Sequence, residues 1–350
     1  MSHTSLSIIE GPYLRDILDQ PQALEETIRD FRANRTLFDE IGKHHKQARK
    51  RVLLTGMGSS LHALYPLELK LVEHGECVTR VDMSELIHSM PKLINERTII
   101  IAVSQSGQSA EVVRLLELNN KRAPIIAVTN TADSLLASHA DLLMLTRCGV
   151  EFSVSTKTYL GSLIALETLG AAWCGQSAED LFAELQSGPA MVSSYLARWR
   201  EHTEKLVEEM SGISQFFIVG RGRSLAACET GALITKESTR WPAEAMSSAA
   251  FRHGPMEMIG PQRMVLVLEG ESTARLLNNK LAREICDSNG RAELIGPSAR
   301  LEALRIPDLL GRLLPIAEIL PIQMLTLALA AGAGFEAGRF IRATKVTTEE

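Results

Sequence analysis

Six consecutive residues, Ser104-Gln105-Ser106-Gly107-Gln108-Ser109, combine hydroxyls, amides and a glycine in a setting that suits an anion. They directly follow Thr98-Ile99-Ile100-Ile101-Ala102-Val103, an unbroken apolar run of the kind a buried parallel strand needs. After them comes Ala110-Glu111-Val112-Val113-Arg114-Leu115-Leu116, whose apolar residues recur at helical spacing. In such a strand–loop–helix unit, backbone N–H groups at the helix start face a dianion, the dipole favours it, and serine hydroxyls add donors. The spacing of a nucleotide P-loop is missing, so a phosphate on a small molecule fits better. The same six residues also suit a serine-rich turn that caps a helix.

The elements that must hold this loop repeat along the chain. Strand and helix signals alternate, which predicts an α/β fold with parallel sheets. Residues 1–50 look helical and charged. Strands are expected at Arg51–Thr55, Val78–Val81, Thr98–Val103, Pro124–Thr129 and Leu142–Leu145. Thr158–Cys174 and Ala178–Met210 read as helix. The pattern then restarts: Gln215–Val219 followed by Gly220-Arg221-Gly222-Arg223-Ser224 echoes Val52–Thr55 followed by Gly56-Met57-Gly58-Ser59-Ser60. Met264–Leu268 followed by Glu269-Gly270-Glu271-Ser272 stands where the serine loop stood. This predicts a duplicated α/β unit. Glutamates 269 and 271 would repel phosphate, so one phosphate site per chain is expected, in the first half.

Composition narrows the classes. At 350 residues two domains are the prior. A net charge of −5 without a dense Lys/Arg run argues against nucleic acid as a partner. Five scattered cysteines with no C-x-x-C read as small core residues in a reducing compartment. Met1–Glu10 shows no signal-peptide pattern, and the apolar stretch Leu313–Ala333 is broken by Pro315, Glu318, Pro321 and Gln323. A buried core helix explains it better than a membrane span, and a cytoplasmic protein is expected. Met256 and Met258 are expected in core packing.

Several short stretches together resemble the two-domain sugar isomerase (SIS) superfamily, especially the isomerase half of glutamine–fructose-6-phosphate aminotransferase. Asp16-Ile17-Leu18-Asp19-Gln20-Pro21 is similar to E-I-x-E-Q-P, Gly58-Ser59-Ser60 to G-T-S, and Ser104–Ser109 to S-Q-S-G-E-T. Val154-Ser155-Thr156-Lys157 resembles V-A-S-T-K, and Gly231–Glu237 resembles G-A-L-K-L-K-E. His253-Gly254-Pro255 matches H-G-P, and Lys345-Val346-Thr347 resembles the K-S-V-T tail. The order is kept along nearly the whole chain.

The resemblance implies two SIS domains, each a parallel sheet flanked by helices in a flavodoxin-like three-layer sandwich. Residues 1–45 would be an N-terminal helical segment, 46–180 the phosphate-binding domain, 195–335 the second domain, and 336–350 a tail completing the active site. By position, Ser60, Ser104, Gln105, Ser106 and Ser109 would bind the sugar phosphate, and Val154 and Ser155 would line the sugar hydroxyls. Glu237 would be the acid/base, His253 the ring-opening group and Lys345 the amine near the carbonyl end. A homodimer is implied, with sites near the subunit interface and His253 acting within its own subunit or across to the other. Moving a proton between C1 and C2 of an opened sugar suits one carboxylate over both carbons. An imidazole can open the ring, and a lysine can form a Schiff base or steady an oxyanion. No cofactor or metal is expected; the nine histidines show no ligand spacing beyond His44-His45.

Departures matter. Where the family reads A-G-E-x-x-H-G-P, this chain reads Ser248-Ala249-Ala250-Phe251-Arg252-His253 and lacks the glutamate. Aligning Val346-Thr347 leaves Lys345 one residue out of register. Nothing resembling the glutaminase half precedes residue 10, so ammonia from glutamine is not expected within this chain. The reading that follows is a glucosamine-6-phosphate deaminase/isomerase, with a glutamine-independent aminotransferase, a plain phosphosugar isomerase or a fructosamine-phosphate deglycase as variants. A non-catalytic sugar-phosphate sensor is the alternative of another class.

Overall fold

The computed structural model describes residues 6–34, 36–47, 51–309, 311–342 and 344–345. Val346 and Thr347, quoted above for the tail, lie outside the described residues. The chain falls into two compact units. The first comprises residues 22–151, 155–189 and 342–350; the second comprises 1–21, 152–154 and 190–341.

The first unit is built on a five-stranded parallel sheet of order β2-β1-β3-β4-β5. Its strands are β1 (Arg51–Gly56), β2 (Val78–Asp82), β3 (Thr98–Val103), β4 (Ile125–Thr129) and β5 (Leu142–Leu145). Every residue of β3 and β4 is buried, as helices on both faces demand. On one face Leu53, Ile100, Ala102, Ile125 and Ala127 pack against Leu86, Ile87, Val112 and Leu115 of the Met83–His88 and Ala110–Asn119 helices. The Lys157–Trp173 helix is buried along its whole length and packs against β4 and the Leu37–Gln47 helix.

The second unit repeats the plan with four parallel strands, in the order β7-β6-β8-β9. These are β6 (Gln215–Gly220), β7 (Ala243–Ser247), β8 (Arg263–Leu268) and β9 (Arg291–Ile295). Phe217, Val219, Val265 and Val267 meet Phe251, Leu281 and Ile285 on one face. The Leu225–Thr239 and Leu314–Ala333 helices pack together within this unit. Gly231 permits that contact, since a Cβ there would lie 2.7 Å from Ile322 Cδ1. The glycine of the G-A-L stretch is thus a packing residue. The most apolar window of the Leu314–Ala333 segment is wholly buried, as a core helix requires.

The opening segment is pinned to that core helix. Gln20 and Gln323, both wholly buried, exchange amide bonds of 2.9 and 2.8 Å, and Tyr13 Oη lies 3.0 Å from Thr326 Oγ1. Met256 packs at the edge of the second core as expected. Met258 does not: it is exposed, in the short turn Pro255–Met258 that Gly254 and Pro255 throw outward.

Candidate functional site

In open parallel sheets ligands bind at the carboxyl ends of the strands, where the order reverses. In the first unit that point lies between β1 and β3, because β1 continues to β2 on one side and β3 to β4 on the other. Gly56 at the end of β1 pairs with Val103 at the end of β3. A Cβ on Gly56 would sit 2.9 Å from the Val103 carbonyl, so only glycine lets the two ends approach. The Gly58-Ser59-Ser60 turn and the Ser104–Ser109 loop therefore emerge side by side, with Ser60, Ser104, Gln105, Ser106 and Ser109 half-buried.

The serine loop is held by its own backbone. Gly107 has φ +62 and is buried; its N–H donates to Ser104 Oγ at 3.1 Å, and Gln108 N–H donates to Ser106 Oγ at 3.3 Å. A side chain at Gly107 would run into Ser134. The Gln105 carbonyl accepts from Asn130 N–H at 3.1 Å, Thr129 Oγ1 at 3.2 Å and Thr131 Oγ1 at 3.3 Å. Those bonds turn this carbonyl back toward β4. Ser109 has the extended backbone of an N-cap, and its hydroxyl takes no cap bond from the Ala110–Asn119 helix.

Ser155 and Lys345 belong to a second cluster in the same unit, and its centre is a residue sequence reasoning missed. Glu151 is buried; its Oε1 accepts from Thr156 N–H at 2.8 Å, Thr158 N–H at 3.1 Å and Thr156 Oγ1 at 3.2 Å. Its Oε2 accepts from Thr158 Oγ1 at 2.8 Å and lies 3.0 Å from Lys345 Nζ. The Lys157–Trp173 helix has no side-chain cap from Thr156, and this carboxylate serves its N-terminus instead. Ser155 Oγ lies 3.2 Å from Thr158 Oγ1, and Lys157 Nζ donates to the Val150 carbonyl at 2.8 Å. The signal available was one acid five residues ahead of Thr156, too far from the helix to look like a cap.

In the second unit Val154 is buried beside Ser153, whose hydroxyl donates to the Gly338 carbonyl at 2.7 Å. Asp16 is buried and accepts from Phe152 N–H at 2.7 Å and Ser153 N–H at 3.0 Å. Gly338 N–H in turn donates to the Ser238 carbonyl at 3.0 Å, next to Glu237. Glu237 stands exposed in the last two turns of the Leu225–Thr239 helix. His253 is exposed at the end of the Ser248–Arg252 helix, its N–H bonded to the Ala250 carbonyl at 3.0 Å. Gly254 follows at φ +128, a conformation that glycine alone adopts readily.

The second unit's own reversal point lies between β6 and β8, and carboxylates fill it. Glu318, wholly buried on the core helix, accepts from Ser224 Oγ at 2.8 Å. Burial, with the Glu271 charge adding to it, pushes its carboxyl up to about 8. Glu269 is buried and accepts from Ser298 N–H at 2.7 Å; Gly296 is required there, since any Cβ would collide with that carboxylate. Glu271 faces Arg223 Nε at 3.5 Å.

Comparison with known proteins agrees with this architecture. Residues 46–172 match the family model described as SIS domain. Glutamine–fructose-6-phosphate aminotransferase (isomerizing) of Thermococcus kodakarensis is 29% identical over 339 residues, covering 92% of this chain and 55% of that protein. The chain thus spans somewhat over half the length of the curated relatives it matches. The C-terminal domain of glucosamine-fructose-6-phosphate aminotransferase from Francisella tularensis superposes with TM-score 0.81 at 19% identity, over 94% of this chain and 98% of that one. Glucosamine-6-phosphate deaminase from Thermotoga maritima gives TM-score 0.77 at 19% identity, over 97% and 100% of the two chains. Residues 46–172 thus match the SIS domain model, and the chain as a whole is similar in sequence to part of glutamine–fructose-6-phosphate aminotransferase and in fold to its C-terminal domain.

Proposed function

We propose that this chain is a phosphosugar isomerase/deaminase that converts glucosamine 6-phosphate and water to fructose 6-phosphate and ammonia. The observation that carries the reading is the serine loop at the β1/β3 reversal point: hydroxyls, a glycine at positive φ and the start of the Ala110–Asn119 helix converge on one spot. In this reading Ser60, Ser104, Gln105, Ser106 and Ser109 hold the phosphate, whose binding energy orients the reacting carbons. Val154 and Ser155 contact the sugar hydroxyls.

His253 passes a proton between the anomeric hydroxyl and the ring oxygen, opening the sugar to its aldehyde. Glu237 removes the C2 proton, giving an enaminol, and returns it to C1, giving a C2 imine. Water adds to the imine carbon, and the C–N bond breaks to leave the ketone and ammonia. Lys345, whose Nζ lies 3.0 Å from Glu151 Oε2, steadies the oxyanion that develops at C1. The second parallel sheet, with the same reversal in strand order, supports reading 195–335 as a second SIS domain. A cytoplasmic homodimer with sites near its interface completes the proposal.

Incubation with glucosamine 6-phosphate, assaying ammonia and fructose 6-phosphate without glutamine, is the test. Turnover is expected, with Glu237→Gln lowering it about 10²–10⁴-fold. No turnover on this sugar but release of an amino acid from a fructosamine phosphate would move the assignment to the deglycase. Silence on every aminosugar phosphate would remove the enzyme reading. Full activity in Glu237→Gln would remove its proton-transfer role.

A further inference from the structure

We propose that His45, His74 and Glu76 form a binding site for a borderline divalent cation, Zn²⁺ above all, remote from the serine loop. The ligand atoms of these three side chains all lie within 4.8 Å of one another. Two elements deliver them. The Tyr65–Glu73 helix ends in a Schellman turn, with Glu76 N–H donating to the Leu71 carbonyl at 3.0 Å and Gly75 N–H to the Val72 carbonyl at 3.0 Å. Gly75, at φ +90, reverses the chain so that His74 and Glu76 converge although two residues apart. His45 approaches from the Leu37–Gln47 helix, its Nε2 3.1 Å from Glu76 Oε1.

Two imidazoles and a carboxylate are a zinc-type donor set, and imidazole nitrogen disfavours magnesium or calcium. Tetrahedral ligands about 2.0–2.1 Å from zinc lie about 3.3 Å apart, so closing the widest gap takes small rotamer changes in half-buried and exposed side chains. An outer support is already in place. Trp173, buried at the end of its helix, donates Nε1–H to Glu76 Oε1 at 3.1 Å, and its ring centroid lies 5.1 Å from that of His45. Glu76 Oε2 can then bind the ion while Oε1 keeps the indole bond. Three protein ligands leave the fourth position for water. The site sits just ahead of β2, at the amino ends of the strands, whereas the serine loop follows the carboxyl end of β3. The cation would therefore clamp the Leu37–Gln47 helix to the sheet and take no part in sugar chemistry. The spacing of the histidines in sequence singled out His44-His45; folding is what supplies His74 and Glu76.

The test is calorimetric titration of the tag-free chain, stripped with chelator, against Zn²⁺. One equivalent per chain is expected, with His74→Gln and Glu76→Gln each weakening binding at least tenfold. Co²⁺ should give the visible spectrum of a tetrahedral nitrogen/oxygen site, lost in both variants. His74 is exposed, so its variant should keep the parent's circular dichroism. Uptake no greater than by the His45/His74/Glu76 triple variant, or affinity unchanged in His74→Gln, overturns the site.

Discussion

At the carboxyl ends of β1 and β3 the first unit presents serines, glutamines and a glycine at positive φ, whereas at those of β6 and β8 the second presents Glu269, Glu271 and Glu318. Both sheets reverse their strand order at the corresponding place. In each unit a residue with extended backbone opens the following helix: Ser109 before Ala110–Asn119, Glu271 before Ser272–Asp287. One helix start is preceded by a neutral serine that makes no cap bond, which in the proposed reading leaves its positive end open to an outside anion. The other meets the protein's own carboxylate. In the proposed reading the same backbone solution serves a ligand in one unit and internal packing in the other, and the side chains alone decide which.

Exchanging the charge should break that contrast most severely. Ser106→Glu would put a carboxylate about 4 Å from a bound phosphate, a repulsion of about 4 kcal/mol per charge pair near a protein surface, or roughly a thousandfold in affinity. Hexose 6-phosphate binding, read by calorimetry, is expected to vanish. Survival of binding would mean that the anion rests elsewhere. The reverse change sharpens the point: Glu271→Ser should not create a phosphate site, because Glu269 and Glu318 remain beneath it.

The next effect belongs to Glu318. Its carboxyl is raised from an ordinary 4.5 to about 8, chiefly by burial, so between those values the unfolded chain has released a proton that the folded chain keeps. Fewer protons bound in the unfolded state means that stability falls as pH rises through this window and levels off above it. Glu318→Gln mimics the protonated form and should be less sensitive to pH between 5 and 8, by a few kcal/mol across the window. Urea denaturation of both proteins at pH 5, 6.5 and 8 compares the slopes. Parallel slopes would show that Glu318 is ionised in the fold.

Much of this contrast could be read from residue order. The apolar runs of β1, β3, β4, β6 and β8 are continuous because both sheet faces are covered, and glutamates after β8 against serines after β3 already set the two halves apart. β7 and β9 escaped notice: Ala243–Ser247 and Arg291–Ile295 carry Glu244, Arg291 and Glu293 and lack an apolar run. Glu151 and Asp16 escaped for another reason. Each is a buried acid that accepts from backbone N–H groups, and Glu151 adds the Thr156 and Thr158 hydroxyls and the distant Lys345. No local pattern marks a carboxylate that folding will bury. Glu318 was visible only as an interruption in an apolar stretch, which argued against a membrane span without revealing its bond to Ser224.

Arg223→Ala should have the smallest effect and yet test the same idea. Its Nε stands 3.5 Å from Glu271, whose side chain is about a third exposed. Pairs of this kind contribute at most about 1 kcal/mol, so the melting temperature should hardly move near neutral pH. Its second consequence is indirect. The Glu271 charge already helps to hold the Glu318 proton, and removing the nearby guanidinium leaves that charge less balanced. The pH window over which stability falls should therefore extend upward in Arg223→Ala, and Glu318→Gln in the same background should erase the extension. A large loss of stability in Arg223→Ala at every pH would instead mean that the arginine holds the β6 loop in place, and the second reversal point would then be built around a cation rather than buried acids.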